Sequence, residues 1–239
     1  MPVKICLAYS QRLGDIVRIL PIARHLAGQG HEVLIECLPQ YHGIFGAVSY
    51  VKPSLPAQRE CQNYDRIYEL EIWPNRYDDF RRSAKTWSDY VFGIFPEFAG
   101  VHRKPEFDLI EENGRLEDYG LTSEVCIFAP FGYSQVRHFR FSDLLKECRR
   151  LASRRIVILA DAAQAARLLE AGVDPTDILR ARSQGDLPRL LRDAAEVFAI
   201  NSAPCVISGA VRDSFWHVPS GCAQDDHFTP ASRVVTIAA

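Results

Sequence analysis

The chain alternates between short unbroken apolar runs and longer stretches where apolar residues recur every three or four positions. "VKICLAY" (3–9) is of the first kind and reads as a buried strand. Residues 15–28 are of the second kind and read as a helix, with Ile16, Ile19, Leu20, Ala23 and Leu26 on one face. Pro21 interrupts the backbone ladder there and predicts a kink or a shifted start. "GQGH" ends the helix, since glycine supplies the left-handed cap. "EVLIECL" (32–38) is the next strand, and "AVSYVKP" and "RIYELEI" are weaker strand candidates. Residues 76–98, "RYDDFRRSAKTWSDYVFGIFPEF", mix aromatics with charges and predict one or two helices that cover the sheet and line a cleft.

The alternation restarts near residue 122. "EVCIFAPFG" (124–132) is a strand ending in a Pro/Gly turn, and "RFSDLLKECRRLA" (140–152) an amphipathic helix with Ser142 as its expected N-cap. "RIVILAD" (155–161) is a strand, followed by a helix over 162–172 that Gly172 ends. "DILRAR" reads as a short strand, 186–194 as a helix and 196–201 as a strand. A helix over 202–211 carries Pro204 in its first turn, and "SFWHVP" and "RVVTIAA" are the last strands. Strands alternating with crossover helices imply parallel sheets, so the fold class is α/β. The division suggested is residues 1–121 and 122–239, two units of roughly nucleotide-binding size. Two such units facing each other leave a cleft between the carboxyl ends of their strands, where ligands bind.

Composition narrows the function classes. The 239 residues are 47% hydrophobic and 24% charged, ordinary for a soluble globular protein. A formal charge of −2 gives no global attraction to nucleic acid. The seven cysteines (Cys6, Cys37, Cys61, Cys126, Cys148, Cys205, Cys222) are odd in number and lack a C-x-x-C, which suggests neither a disulfide framework nor a zinc cluster. They fit a reducing, cytoplasmic setting. No signal-peptide pattern and no apolar stretch of membrane-spanning length is read.

Four stretches carry candidate chemistry. In "LGD" (13–15), Asp15 lies at a strand–helix junction with Gly14, a candidate sugar-binding position, before it. Asp15 is either a helix cap or a general base that takes a proton from an attacking hydroxyl. In "APFGYSQVRHF" (129–139), Gly132 permits close approach of a ligand, Tyr133 and Ser134 offer hydroxyls, and Arg137 offers a fork suited to phosphate; the bland alternative is a solvated loop. In "NSAPCVISGAV" (201–211), Asn201, Ser202 and Ala203 open a helix whose backbone N–H groups attract an anion. Ser202 either caps that helix or binds a phosphate oxygen. In "PSGCAQDDHF" (219–228), Asp225 and Asp226 beside His227 could take a metal or sugar hydroxyls, with Gln224 a further sugar-binding candidate, against a plain solvated loop. No metal site is assigned. Basic residues in "RRSAK" (81–85) suit either a polyanion or an exposed helix face.

Together these pieces resemble the family-nine glycosyltransferases, the group that contains the lipopolysaccharide heptosyltransferases. "GDIVRILPIARHL" (14–26) is similar to the family's N-terminal signature, including the in-helix Pro21. "RHF" (137–139) resembles the family's K-x-W element, and "NSAPCVISGA" (201–210) follows the outline of its D-S/T-G-P-x-H-L-A-A-A motif. Asn201 replaces the aspartate there, and Val206 stands where the histidine is expected. The resemblance implies a GT-B fold: two Rossmann-like domains with parallel sheets, an acceptor on residues 1–121 and a nucleotide sugar on 122–239. It also implies that Asp15 is the general base and that Arg137 contacts donor phosphate.

The expected activity is therefore inverting, metal-independent transfer from a nucleotide-diphosphate sugar to an acceptor hydroxyl, without a cofactor. Small phage-encoded relatives extend the acceptor from lipopolysaccharide-type glycans to hydroxymethylated DNA bases. Two alternatives stay open. One is a nucleotide- or sugar-binding protein of the same fold without activity, motivated by Asn201 and Val206. The other is a dinucleotide-dependent dehydrogenase or epimerase, disfavoured because the first turn reads "SQRLGD" rather than G-x-G-x-x-G.

Overall fold

Two parallel sheets carry the chain, in a computed structural model that describes residues 1–9, 11–132, 140–219 and 233–235. The first sheet has the order β3-β2-β1-β4, from β1 (Lys4–Ala8), β2 (Glu32–Glu36), β3 (Lys52–Ser54) and β4 (Arg66–Glu69). The second has the order β10-β9-β8-β5-β6-β7, from β5 (Val125–Ala129), β6 (Arg155–Leu159), β7 (Ile178–Leu179), β8 (Glu196–Ile200), β9 (Trp216–Val218) and β10 (Arg233–Val234). Every described strand pair is parallel. Strand order reverses between β1 and β4 in one sheet and between β5 and β8 in the other. Open α/β sheets place ligands at such switch points.

The helices follow their strands: α1 (Leu13–Gly28), α2 (Tyr77–Ser83), α3 (Trp87–Phe92), α4 (Phe141–Leu151), α5 (Ala162–Glu170), α6 (Leu187–Asp193) and α7 (Ala203–Val211). Pro21 sits inside α1, which runs through it and gives up one i→i−4 bond, the one to Val17. The expected apolar face of α1 is buried, but so are Val17, Arg18 and Ile22. The reason is tertiary. One side of α1 lies on the first sheet, and α7 packs on the other. Enclosed in this way, α1 shows no solvent face between Ile16 and Ala23, and its exposed residues are Arg24, His25 and Gly28 near its end. One apolar cluster consequently runs from Ile5, Leu7 and Ile35 through α1 to Ile207, Val197 and Ile127 of the second sheet. The far face of the second sheet has its own cluster, with Phe128 and Phe198 in contact at 5.6 Å.

A second join lies away from the helices. The 3-10 helix Pro39–Ala47 meets the 3-10 turn Gln184–Asp186. Gln184 Nε2 donates to the Gln40 carbonyl at 2.7 Å, and a Cβ on Gly185 would lie 2.8 Å from the Gly43 carbonyl oxygen. Asp186, 9% exposed, accepts from the Tyr119 hydroxyl (2.6 Å), the Gly114 N–H (3.1 Å) and the Ser183 N–H (3.0 Å). Those bonds tie the segment between the sheets to the turn.

Several sequence expectations shift. "AVSYVKP" is strand only at its end: Pro39–Ala47 is a 3-10 helix, and β3 is a short edge strand that tolerates Pro53. Ser142 does not cap α4; Arg140 holds that position and no side chain caps the helix. Helix α1 starts at Leu13, two residues before Asp15, so Arg12 rather than Asp15 is its cap residue. Gly30 and Gly172 adopt positive φ (87° and 81°) just past α1 and α5, as their sequence positions require.

Gly185→Ala should destabilise by about 1–3 kcal/mol, because backbone on the facing turn must move. Gly28→Ala, with open space around it, should be neutral or raise stability by about 0.5 kcal/mol. Urea unfolding of the two variants checks the contrast, and equal stabilities would contradict the close approach at Gly43. Thiol reactivity checks the packing separately. Cys61 is exposed, whereas burial, aided by the Glu36 carboxylate, pushes Cys6 up to about 11 and Cys37 up to about 12. Iodoacetamide near pH 8 should label Cys61 in the folded chain and reach Cys6 and Cys37 only after denaturation.

Candidate active site

The carboxyl ends of both sheets open into one cavity of about 1040 Å³. Its first wall starts where β1 ends. Tyr9, 3% exposed, points its hydroxyl at the next helix and donates to Asp15 Oδ2 at 2.9 Å. The Arg18 guanidinium, one turn along α1, lies 3.6 Å from Asp15 Oδ1. Asp15 is 14% and Arg18 7% exposed at the side chain. Trp87 of α3 closes the group, with its ring 5.8 Å from Tyr9 and 5.3 Å from the Arg18 guanidinium. Burial first, and Asp15 second, push the Tyr9 phenol well above its ordinary range, so it stays a neutral donor. Tyr9 and Arg18 thus fix the carboxylate from two sides.

The opposite wall is made by the turns after β5 and β8. A Cβ on Gly132 would meet the Asn201 carbonyl oxygen and Ser202 Cβ, both at 3.2 Å. Glycine is needed there because the two turns rest on each other. Ser202 is extended, and its hydroxyl donates to the Ile200 carbonyl at 3.0 Å. Ser202 therefore leaves α7 without a side-chain cap, which corrects the capping alternative. The start of α7 lies on the start of α1: a Cβ on Gly14 would sit 3.5 Å from Ala203 N and Cα. Two helix N-termini, each with partial positive charge, face one crevice. Their mutual repulsion falls when an anion lies between them.

The structure brings Gly14, Asp15, Gly132, Asn201, Ser202 and Ala203 together on the cavity wall. Tyr133, Ser134, Arg137, Gln224, Asp225 and Asp226 lie outside the described residues. Sequence reading missed Tyr9, Arg18, Glu71, Asp161, Gln164, Arg180 and Arg182, all of which line the cavity. Two signals were present. Arg18 stands three residues after Asp15 on a helix, the spacing of a neighbouring pair. Asp161 and Gln164 form a reciprocal capping box at the start of α5, at 2.8 and 2.9 Å, and D-x-x-Q after a strand is its pattern. "RRSAK" divides: Arg81 lines the cavity, while Arg82 pairs on the surface with Asp79 at 2.5 Å. Among the described residues no group of three His, Cys, Asp or Glu could hold a metal ion, and no helix is long and apolar enough to cross a membrane.

No family model matches the chain, and no curated protein matches it by sequence. Solved structures do. A family 9 glycosyl transferase from Veillonella parvula superimposes with a TM-score of 0.66 at 11% identity, over 98% of this chain and 86% of that one. The E. coli ADP-heptose lipopolysaccharide heptosyltransferase II gives 0.65 at 14%, over 97% and 90%. E. coli heptosyltransferase WaaC with ADP gives 0.57 at 13%, over 90% and 86%. The likeness is one of fold, and the chain has the GT-B architecture of these neighbours.

Tyr9→Phe removes a donor to a largely buried carboxylate and should cost about 1–2 kcal/mol in urea unfolding. An unchanged midpoint would mean that the hydroxyl does not hold Asp15.

Proposed function

We propose that the chain is an inverting glycosyltransferase that moves a sugar from a nucleotide-diphosphate sugar to an acceptor hydroxyl without a metal ion. The observation that carries this reading is the shared cavity: Asp15 on α1 and the uncapped N-terminus of α7 line the same space. The acceptor lies on residues 1–121 and the donor on 122–239. The GT-B architecture supports that division of labour, since its neighbours carry glycosyl transferase names. WaaC is described with ADP, which makes ADP the first nucleotide to test.

Asp15 takes the proton as the acceptor oxygen attacks the anomeric carbon from the face opposite the diphosphate. The anomeric C–O bond to phosphate breaks, and the leaving group departs as the nucleoside diphosphate. A positioned general base contributes roughly 10²–10⁴-fold. The developing charge on the diphosphate meets the backbone N–H groups around Ser202 and Ala203, with Arg137 and Ser134 as its side-chain donors. A helix terminus stabilises an anion by up to about 2 kcal/mol, and one well-aimed donor by about 3–4 kcal/mol in a transition state. Gly132 keeps the β5 turn close enough for the diphosphate to touch backbone. Tyr9 and Arg18 hold the Asp15 carboxylate in place from two sides. Orientation of the acceptor in the cavity supplies the remainder.

Asp15→Asn should lower turnover by at least 100-fold while nucleoside diphosphate affinity, read by calorimetry with ADP and UDP, changes less than about twofold. Turnover within tenfold of wild type would remove Asp15 from the role. A wild-type chain that binds nucleotide tightly but turns over no donor in a mass-spectrometric panel would be the binding protein instead.

A further inference from the structure

Trp73 and Tyr77 have no part in the steps above, yet both line the cavity with Asp15. Trp73 is 48% and Tyr77 38% exposed. Their rings meet edge to face, with centroids 4.9 Å apart and planes at 69°, so they form an angled corner. The aromatics behind them behave differently: Phe80 and Trp87 also reach the cavity but are buried in the core. The other large exposed apolar side chains among the described residues, Met1, Leu38, Ile67, Leu169 and Val234, lie away from the cavity lining. Exposed aromatic surface is thus concentrated at the mouth of the site, on the wall that carries the base. Aromatic surface in a concave site with a few polar neighbours is the composition of a ligand contact.

The surroundings select the ligand class. A nucleic acid calls for a continuous basic track beside the stacking rings. Here Glu71, Asp78 and Asp79 alternate with Arg81 and Arg82, and Arg82 is paired with Asp79. Arg76 turns inward and donates to the carbonyls of Glu69 and Glu71 at 2.9 and 3.1 Å. Around the two rings both signs are present, which suits a neutral, hydroxyl-rich ring better than a phosphate chain; of the cavity's other arginines, Arg180 and Arg182 belong to the second sheet's side, Arg18 faces Asp15 and Arg12 precedes α1. The C–H face of a sugar lies flat on an aromatic plane, and its hydroxyls reach planar polar groups at the edge. Gln11, Gln40 and Glu71 supply amide and carboxylate groups around the same cavity.

We propose that Trp73 and Tyr77 form the acceptor platform, holding one face of a saccharide ring and so setting which acceptor reaches Asp15. This rests on the reading of the cleft as a glycosyltransferase site. It makes the two rings specificity-determining residues and the acceptor a glycan.

The test uses the full chain on an array of immobilised bacterial oligosaccharides, beside a duplex containing hydroxymethylated cytosine, with ADP or UDP present. Wild type should bind a subset of the oligosaccharides and not the duplex. Tyr77→Ala and Trp73→Ala should each weaken that binding roughly tenfold, and Trp73→Phe should restore most of it. Nucleotide affinity and the thermal midpoint should stay at wild-type values, which separates a lost platform from a lost fold. Array binding unaffected by both alanine variants, binding to the duplex alone, or binding to no oligosaccharide would each overturn the proposal. The two readings fail separately. Ring-dependent glycan binding without any transfer sinks the enzyme and keeps the platform. Transfer with an acceptor KM unchanged in both alanine variants sinks the platform and keeps the enzyme.

Discussion

The contact between the starts of α1 and α7, at Gly14 and Ala203, governs the rest of the molecule. It fixes how the two sheets face each other and routes one apolar cluster through both. It also brings two helix N-termini to a common space, with the Asp15 carboxylate in the first turn of α1 beside them. A methyl group at position 14 would be in ordinary van der Waals contact with Ala203 and Val206. Asp15 and the turn at Ser202 are neighbours because of this one packing choice.

Much of the architecture was readable from the chain because its strands are short apolar runs between glycine and proline punctuation. The run at 3–9, the helix behind it and the second series from residue 124 each declare themselves by period. The errors have local physical causes. Residues 47–53 carry an apolar content that suits a strand, yet the chain enters them from a 3-10 helix that meets the turn at Gln184, far away in sequence, and pairs only from Lys52 on. The cap of α4 was misplaced because serine is a favoured cap, while the helix has its cap position two residues earlier, at Arg140, and no side chain caps it. Val17 and Ile22 of α1 stand outside its expected apolar face and are buried all the same, because α1 packs against both β2 and α7.

The candidate site divides in the same way. Asp15, Gly132 and the turn at Asn201 stand at strand ends, where α/β proteins place chemistry, and topology alone points to them. The environment of Asp15 was not readable. Tyr9 looked like the last residue of a strand, and Trp87 belonged to a segment with no assigned partner. Only the folded chain puts their rings 5.8 Å apart and sets the phenol on the carboxylate. Long-range contacts of this kind leave no period in the sequence, since each residue satisfies its own local rule.

The join at Gly43 and Gly185 has a mechanical meaning when taken with the helix contact. Together with the helix contact it holds the two sheets to each other at two separated places, with one continuous apolar cluster packed between them. A load on the crevice is therefore shared between a helix pair and a pair of turns, and neither alone carries the alignment of Asp15 with the start of α7.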